Sequence, residues 1–338
     1  MDSRLTALTD WVRQQPGFRQ AHPETVSGDA SFRRYFRVTG QPDADAPRPF
    51  IVMDAPPGKE GVAPFVAIAR QWHAEGIHVP AIHAEDREQG FLLLEDFGDE
   101  LLLDHLNDDN VDHLYGLALK ALSHIQATAD PVDYPLPPYD AALLDREMAL
   151  FRDWLLVQHL GLELTDQEHC LLETTFALLK EAALAQPEVP VHRDYHSRNL
   201  LVLGDNVDLG VIDFQDAVRG PVTYDLVSLV KDCYIHWPEE NIARWIEDFR
   251  LLTRDAGLHQ ADRETFRQWV ELMGMQRHLK ASGIFARLAI RDGKRRYLED
   301  IPRTVNYLLE ASDRQPALRH FYEWLANRVI PLLEKQAA

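Results

Sequence analysis

Between Val189 and Asp225 two polar strings are held apart by little more than one apolar hairpin, which restricts the chain to folds where a loop and a strand end serve one centre. The first string is His192-Arg193-Asp194-Tyr195-His196-Ser197-Arg198-Asn199, and the second is Val211-Ile212-Asp213-Phe214-Gln215-Asp216. In an H-R-D-x-x-x-x-N loop the aspartate orients and deprotonates an attacking hydroxyl, while the asparagine five residues on offers an oxygen to Mg²⁺. Asp213, at an apolar strand end and just ahead of Phe214, has the setting of the main metal carboxylate. The two strings together imply phosphoryl transfer from a magnesium-bridged nucleotide.

Leu200 to Leu203 reads as a short strand, Gly204-Asp205-Asn206 as a turn, and Val207 to Ile212 as the returning strand. Asn199 and Asp213 then fall at the open end of one hairpin. Taken singly, each piece has a plainer reading. A His-x-Asp string is usually a turn or a cap, and His192 with His196 has the spacing of two zinc ligands, which requires a helix and a further ligand nearby. The second string favours the phosphoryl-transfer reading over both.

The chain has 338 residues, 46% of them hydrophobic, enough for one large or two medium domains. Its start, Met1-Asp2-Ser3-Arg4-Leu5, has no cationic, apolar leader pattern, and no run approaches the ~20 apolar residues of a membrane span, so a cytoplasmic location is expected. Cys170 and Cys233 lie in helix-like apolar patterns and are expected to be buried free thiols. A net charge of −19 argues against a nucleic-acid partner. It does not decide the small substrate, because local bases such as those between Gln276 and Arg296 can reverse the field inside a cleft.

The first 97 residues read as an N-terminal helix (Leu5 to Gln14), strands at Ser31 to Val38, Phe50 to Asp54, Ala81 to Ala84 and Gly90 to Glu95, and one helix, Pro64 to Glu75. Residues 98–338 turn helical, with stretches at Val111 to Thr128, Tyr139 to His159, Asp166 to Ala185, Tyr224 to His236, Asn241 to Ala256, Arg263 to Leu288 and Pro302 to Leu309. The expected class is α+β, with a small antiparallel-sheet lobe for the nucleotide (1–97) and a large helical lobe for catalysis and acceptor binding (98–338). Ser31, Phe32, Arg33 and Arg34 occupy the place of a phosphate-covering hairpin, though with a single glycine, Gly28; the plain alternative is an edge hairpin with a solvated basic face. Glu95, Asp96 and Phe97 occupy the place of an inter-lobe hinge that would pair an adenine edge.

The paired strings, followed by Tyr224-Asp225-Leu226, resemble the aminoglycoside phosphotransferase superfamily over about Ser27 to Leu333, which implies a bilobal protein-kinase-like fold. With Gln276-Arg277-His278-Leu279-Lys280, Gly283 to Leu288 and Arg291-Asp292-Gly293-Lys294, the chain is similar to a bacterial branch that phosphorylates the anomeric hydroxyl of N-acetylmuramate and N-acetylglucosamine in cell-wall recycling. The resemblance implies ATP and Mg²⁺ as cofactors, Asp194 as catalytic aspartate, Asn199 and Asp213 as metal ligands, and His192 and Asp225 as supports of the catalytic loop. A helix-capping carboxylate is the plain alternative for Asp225. His196, Arg198, Asp216, Arg219, Arg277 and Lys280 become candidates for the acceptor, with His278, Arg287 and Lys294 as further bases; the bland alternative for this last group is a solvated face. The partners expected are an amino sugar and ATP, with no nucleic acid or membrane, for a monomer.

Two features depart from the superfamily pattern. The lysine slot of Phe50 to Asp54 holds Met53 or Asp54, and the helix from Pro64 lacks the glutamate that normally pairs with that lysine. Arg33, Arg34, Arg37 and Lys59 are candidates for the replacement cation. Only 12 positions separate Asp213 from Asp225, too few for a protein kinase's activation segment, so a small acceptor is expected. A kinase for aminoglycosides, choline or a homoserine-like amine, and a non-catalytic nucleotide-binding protein, are the rival readings.

Overall fold

A computed structural model describes residues 2–26, 33–42, 46–59, 61–204 and 208–337. Ser31 and Phe32, and the turn residues Asp205 and Asn206, lie outside the described residues. By internal packing the chain divides into two units, one of residues 1–105, 128–136 and 198–216, the other of the remainder.

The first unit begins with α1 (Ser3–Gln14), started by Asp2, whose side chain accepts from the amides of Arg4 and Leu5. Five antiparallel strands follow: β1 (Glu24–Val26), β2 (Arg34–Gly40), β3 (Arg48–Asp54), β4 (Ile82–Asp86) and β5 (Phe91–Glu95), in the order β1-β2-β3-β5-β4. Strand β1 is three residues long, below the length at which alternation can be read, and escaped the sequence reading. Side chains alternate across a sheet, and Phe36, Val38, Phe50, Val52, Phe91 and Leu93 form one buried face against Leu8, Trp11 and Val12 of α1. Helix α2 (Ala63–Ala74) carries no acidic residue, and its buried stripe is Phe65, Val66, Ile68, Ala69 and Trp72. After α3 (Leu102–His105) the unit takes up β7 (Leu200–Leu203) and β8 (Asp208–Val211), paired from Leu200↔Val211 to Leu203↔Asp208.

The second unit contains α4 (Val111–Ala127), α5 (Ala141–Leu150), α6 (Asp166–Leu184), the antiparallel pair β6 (Glu188–Val191) and β9 (Val218–Pro221), and then α7 (Tyr224–Val230), α8 (Glu239–Asp255), α9 (Arg263–Arg291), α10 (Ile301–Asp313), α11 (Arg319–Trp324) and α12 (Ile330–Ala337). The helical stretch expected at Tyr139 to His159 starts at Ala141 and continues past Leu150 as a π-helical turn, Phe151–His159. Helix α7 ends at Val230, short of the expected His236. There Asp232 turns its carboxylate to the amide and hydroxyl of Ser197 and to the amide of Tyr234. Cys233 is buried, but Cys170 is exposed, on the side of α6 away from its buried Leu172, Phe176 and Leu179, which corrects the expectation of two buried thiols.

Helix α9 is the axle of this unit, with every residue from Val270 to Lys280 buried. Where it meets the end of α5, Gly283 leaves no space for a side chain: a Cβ there would fall on the Leu150 carbonyl and the Phe151 nitrogen. Among the described residues no helix is long and apolar enough to cross a membrane.

Candidate active site

Strand β6 delivers the chain straight into His192. Arg193 follows with φ 78°, and Asp213 has φ 64°; among the described residues these are the two non-glycine residues with positive φ. Such backbone is sparsely populated by L-residues and persists only where its surroundings over-determine it. At Arg193 the surroundings are Asp225, fully buried, whose Oδ2 accepts from the His192 amide at 2.6 Å and whose Oδ1 accepts from the Arg193 amide at 3.0 Å. The Tyr195 hydroxyl donates to the Ala118 carbonyl of α4 at 2.8 Å. Ser197 is held by Asp232 at 3.0 Å through its amide and 2.6 Å through its hydroxyl. Tyr195 and Ser197 thus point inward, and Asp194 and His196 are left half-buried between these anchors.

Asp194 sits among bases. Burial would raise its pKa, but Lys280, His196, Arg193 and Arg277 together pull it down to about 2. His196 goes the other way, held down to about 4 by burial against the pull of Asp232 and Asp194, so its imidazole is neutral near pH 7. Its ring meets Tyr234 at 5.3 Å.

Arg277, His278 and Lys280 are buried, not on the solvated face that the plainer reading supposed; they project from α9 into the interior of the second unit. Lys280 donates to the Tyr224 hydroxyl at 2.8 Å and lies 3.3 Å from Glu147. His278 shares a hydrogen bond with the Lys231 carbonyl at 2.9 Å. Arg287 and Lys294 are half-buried. Arg219, on β9, is half-buried and donates to the Glu188 carbonyl at 3.4 Å.

The hairpin in the first unit brings Asn199 and Asp213 to its open end, as its register requires: the Ile212 amide donates to the Asn199 carbonyl at 3.1 Å. Phe214 is locked between Phe65 and Trp72 of α2, with ring centroids at 4.8 and 5.5 Å. Gln215, which stands where a D-F-G string has its glycine, donates to Asp213 Oδ1 at 2.8 Å and so fixes the rotation of that carboxylate. The exposed Asp213 carboxylate and the Asn199 amide oxygen are hard-oxygen donors of the kind that suits Mg²⁺, which usually takes one or two protein carboxylates and completes its shell with phosphate and water. Among the described residues no group of three or more His, Cys, Asp or Glu side chains gathers as a metal cage would, so the zinc alternative has no support. Arg198 is half-buried and Asp216 exposed in this segment.

At the slot of the missing lysine, Met53 is buried and Asp54 is fully enclosed. Arg4 Nε reaches Asp54 Oδ1 at 2.7 Å, and Arg34 reaches Oδ2 through Nε at 3.0 Å and Nη2 at 2.6 Å. The ion pair at the end of β3 is therefore inverted, with the carboxylate on the strand and arginines arriving from α1 and β2. Arg34 also pairs with Asp2, and Arg37 is clasped by Asp96 (2.5 Å) and Asp99 (2.8 Å). Glu95 Oε2 accepts from the Ala81 amide at 3.2 Å, and the Phe97 ring closes over Gly210.

Two residues central to this arrangement escaped the sequence reading: Glu147 and Asp232. Glu147 had a readable signal, since it interrupts the apolar stripe Leu144, Met148, Phe151 on the buried face of α5.

A model of the phosphotransferase enzyme family matches residues 22–269. The chain is 46% identical over 337 residues to an N-acetylmuramate/N-acetylglucosamine kinase of Pseudomonas putida, with 96% of this chain and 97% of that one covered. Among solved structures it is similar to a choline kinase from Cryptosporidium parvum (TM-score 0.63, 14% identity, covering 96% of this chain and 100% of that one). It is also similar to a spectinomycin phosphotransferase in complex with ADP and spectinomycin (TM-score 0.59, 15% identity, covering 90% and 93%). These neighbours bear out the kinase-like fold, and the match over most of its length makes this chain a member of the phosphotransferase enzyme family.

Proposed function

We propose that the protein is an ATP-dependent kinase that places a phosphoryl group on the anomeric hydroxyl of N-acetylmuramate or N-acetylglucosamine, giving the sugar 1-phosphate for peptidoglycan recycling in the cytoplasm. The observation that carries this reading is the 46% identity, sustained over 96% of the chain, to a kinase named for those sugars. In this reading Asp194 orients the hydroxyl and takes its proton as the new oxygen–phosphorus bond forms and the bond from the γ-phosphorus to the ADP oxygen breaks. The proton then leaves to solvent. A carboxylate with a pKa near 2 is a weak base, so the proton moves late, and an anomeric hydroxyl, more acidic than other sugar hydroxyls, suits such a base. Asn199 and Asp213 would hold Mg²⁺, which supplies neutralising charge to the phosphate oxygens when bound.

His192 and Asp225 support the loop. Ser31, Phe32, Arg33, Arg34, Glu95, Asp96 and Phe97 serve the nucleotide, Arg34 by ordering the end of β3. His196, Arg198, Asp216, Arg219, Arg277 and Lys280 surround the acceptor. Incubation with Mg-ATP and each sugar, followed by phosphorus NMR, should give an anomeric phosphate. Phosphorylation of kanamycin or choline with neither sugar modified would sink the reading.

Asp225 gives this enzyme its acid limb. Burial lifts its pKa to about 6 against the pull of His192 and the two loop amides. A carboxyl whose folded pKa exceeds its ordinary value binds its proton more tightly folded than unfolded, so on this group's account stability does not fall between about pH 6 and pH 4. Protonation does weaken the Asp225 carboxyl as the acceptor of the His192 and Arg193 amides. Turnover should therefore decline with a midpoint near pH 6 while the melting temperature holds. A rate profile flat down to pH 5 would contradict the assignment.

A further inference from the structure

We propose that Arg277 is the specificity residue that reads an anionic substituent on the acceptor sugar, and so distinguishes sugars bearing a lactyl carboxylate from neutral N-acetyl amino sugars. This rests on the amino-sugar kinase reading above. Burying a charge is costly unless it is paired, and α9 buries two full cations, Arg277 at 6% exposure and Lys280 at 7%. Their circumstances differ. Lys280 is matched by Glu147 and the Tyr224 hydroxyl. Arg277 forms no ion pair among the described residues, and its guanidinium donates only from Nη1 to Cys233 Sγ at 3.6 Å, a weak acceptor.

The nearby carboxylates do not fill that role. Asp232 is committed to Ser197 and Tyr234, and it acts on Arg277, as Asp194 does, through space. Nor is the guanidinium sealed in: none of its nitrogens is among the side-chain atoms buried without a partner. A guanidinium stays charged under all physiological conditions, and its planar fork suits the two oxygens of a carboxylate. Cys233, which Arg277 touches, lies between Asp232, which holds Ser197 of the loop, and Tyr234, whose ring meets His196 at 5.3 Å, which locates an anion bound by Arg277 near the hydroxyl that Asp194 would serve. In N-acetylmuramate the lactyl ether is on C3, two ring carbons from the anomeric C1, so the acceptor carries its negative charge at a comparable remove from its reacting oxygen. Beside Cys233, Tyr234 and then Phe285 (6.1 Å between rings) offer an apolar wall for the sugar face.

The test compares kcat and KM of wild type, Arg277→Gln and Arg277→Lys on N-acetylmuramate, its methyl ester and N-acetylglucosamine. Loss of a desolvated charge pair should cut kcat/KM of Arg277→Gln for N-acetylmuramate about 100-fold, mainly through KM, with the loss for N-acetylglucosamine at least tenfold smaller. The wild type should lose a similar factor on the methyl ester, a measurement that does not depend on any variant folding. Equal losses on both sugars through kcat, or an ester used as well as the acid, would overturn the proposal. A wild type that phosphorylates neither sugar, but does phosphorylate another alcohol, would remove the amino-sugar reading and this inference with it.

Discussion

Replacing Asp194 with asparagine is expected to lower kcat about a thousandfold with little change in KM. Proton transfer to a positioned base contributes typically ~10²–10⁴ in rate, and asparagine keeps the shape and one acceptor oxygen while losing the capacity to take the proton. The loop that presents residue 194 has anchors apart from its carboxylate. Its geometry is set by Asp225 on the His192 and Arg193 amides, by Tyr195 on the Ala118 carbonyl and by Asp232 on Ser197. The variant should therefore fold, melting somewhat lower because the Asp194 charge faces Lys280, Arg193 and Arg277, and the loss should appear in single-turnover rates as well as in steady state. Turnover within tenfold of wild type would make Asp194 an orienting group alone.

The residues proposed for this chemistry were legible because each string states a local rule. The hairpin of fixed register needs only neighbours in sequence, and it stands where the pattern put it, with Asn199 and Asp213 at its open end. The inverted ion pair at Asp54 was legible only as an absence: that a lysine and a glutamate were missing could be read, but that Arg4 and Arg34 would converge on the strand could not, because Arg4 comes from 50 positions away. The same limit explains the bases of α9. Helical periodicity gives the stripe Arg277 and Lys280, but a stripe of charge looks the same whether it faces water or a buried partner, and the partner Glu147 lies on another helix. Helix α7 was overextended for a related reason. Apolar periodicity continues past Val230, but the helix ends there, and Asp232 just beyond it holds Ser197.

Glu147→Gln is expected to destabilise the second unit by about 3–5 kcal/mol, because it removes the ion-pair partner shared by buried Lys280 and half-buried Arg193. Glu147 is 5% exposed. Its Oε1 takes Arg193 Nη2 at 2.6 Å and Lys280 Nζ at 3.3 Å, while Oε2 accepts from the Tyr139 hydroxyl and from Gln276 Nε2 at 3.3 Å. Burial works to raise its pKa, and Lys280 and Arg193 more than reverse this, so the group is ionised and its charge is in use. Lys280→Met alone should cost less, since Arg193 and Glu147 keep one another. The pair Glu147→Gln with Lys280→Met should recover part of the loss, leaving a coupling energy well above the few tenths expected of independent sites. Urea unfolding of the four proteins measures this cycle. Because Arg193 belongs to the strained loop that carries Asp194, the glutamine variant should also lose turnover under conditions where it remains folded, and a stability loss below about 1 kcal/mol would show that the cluster is solvated rather than sealed.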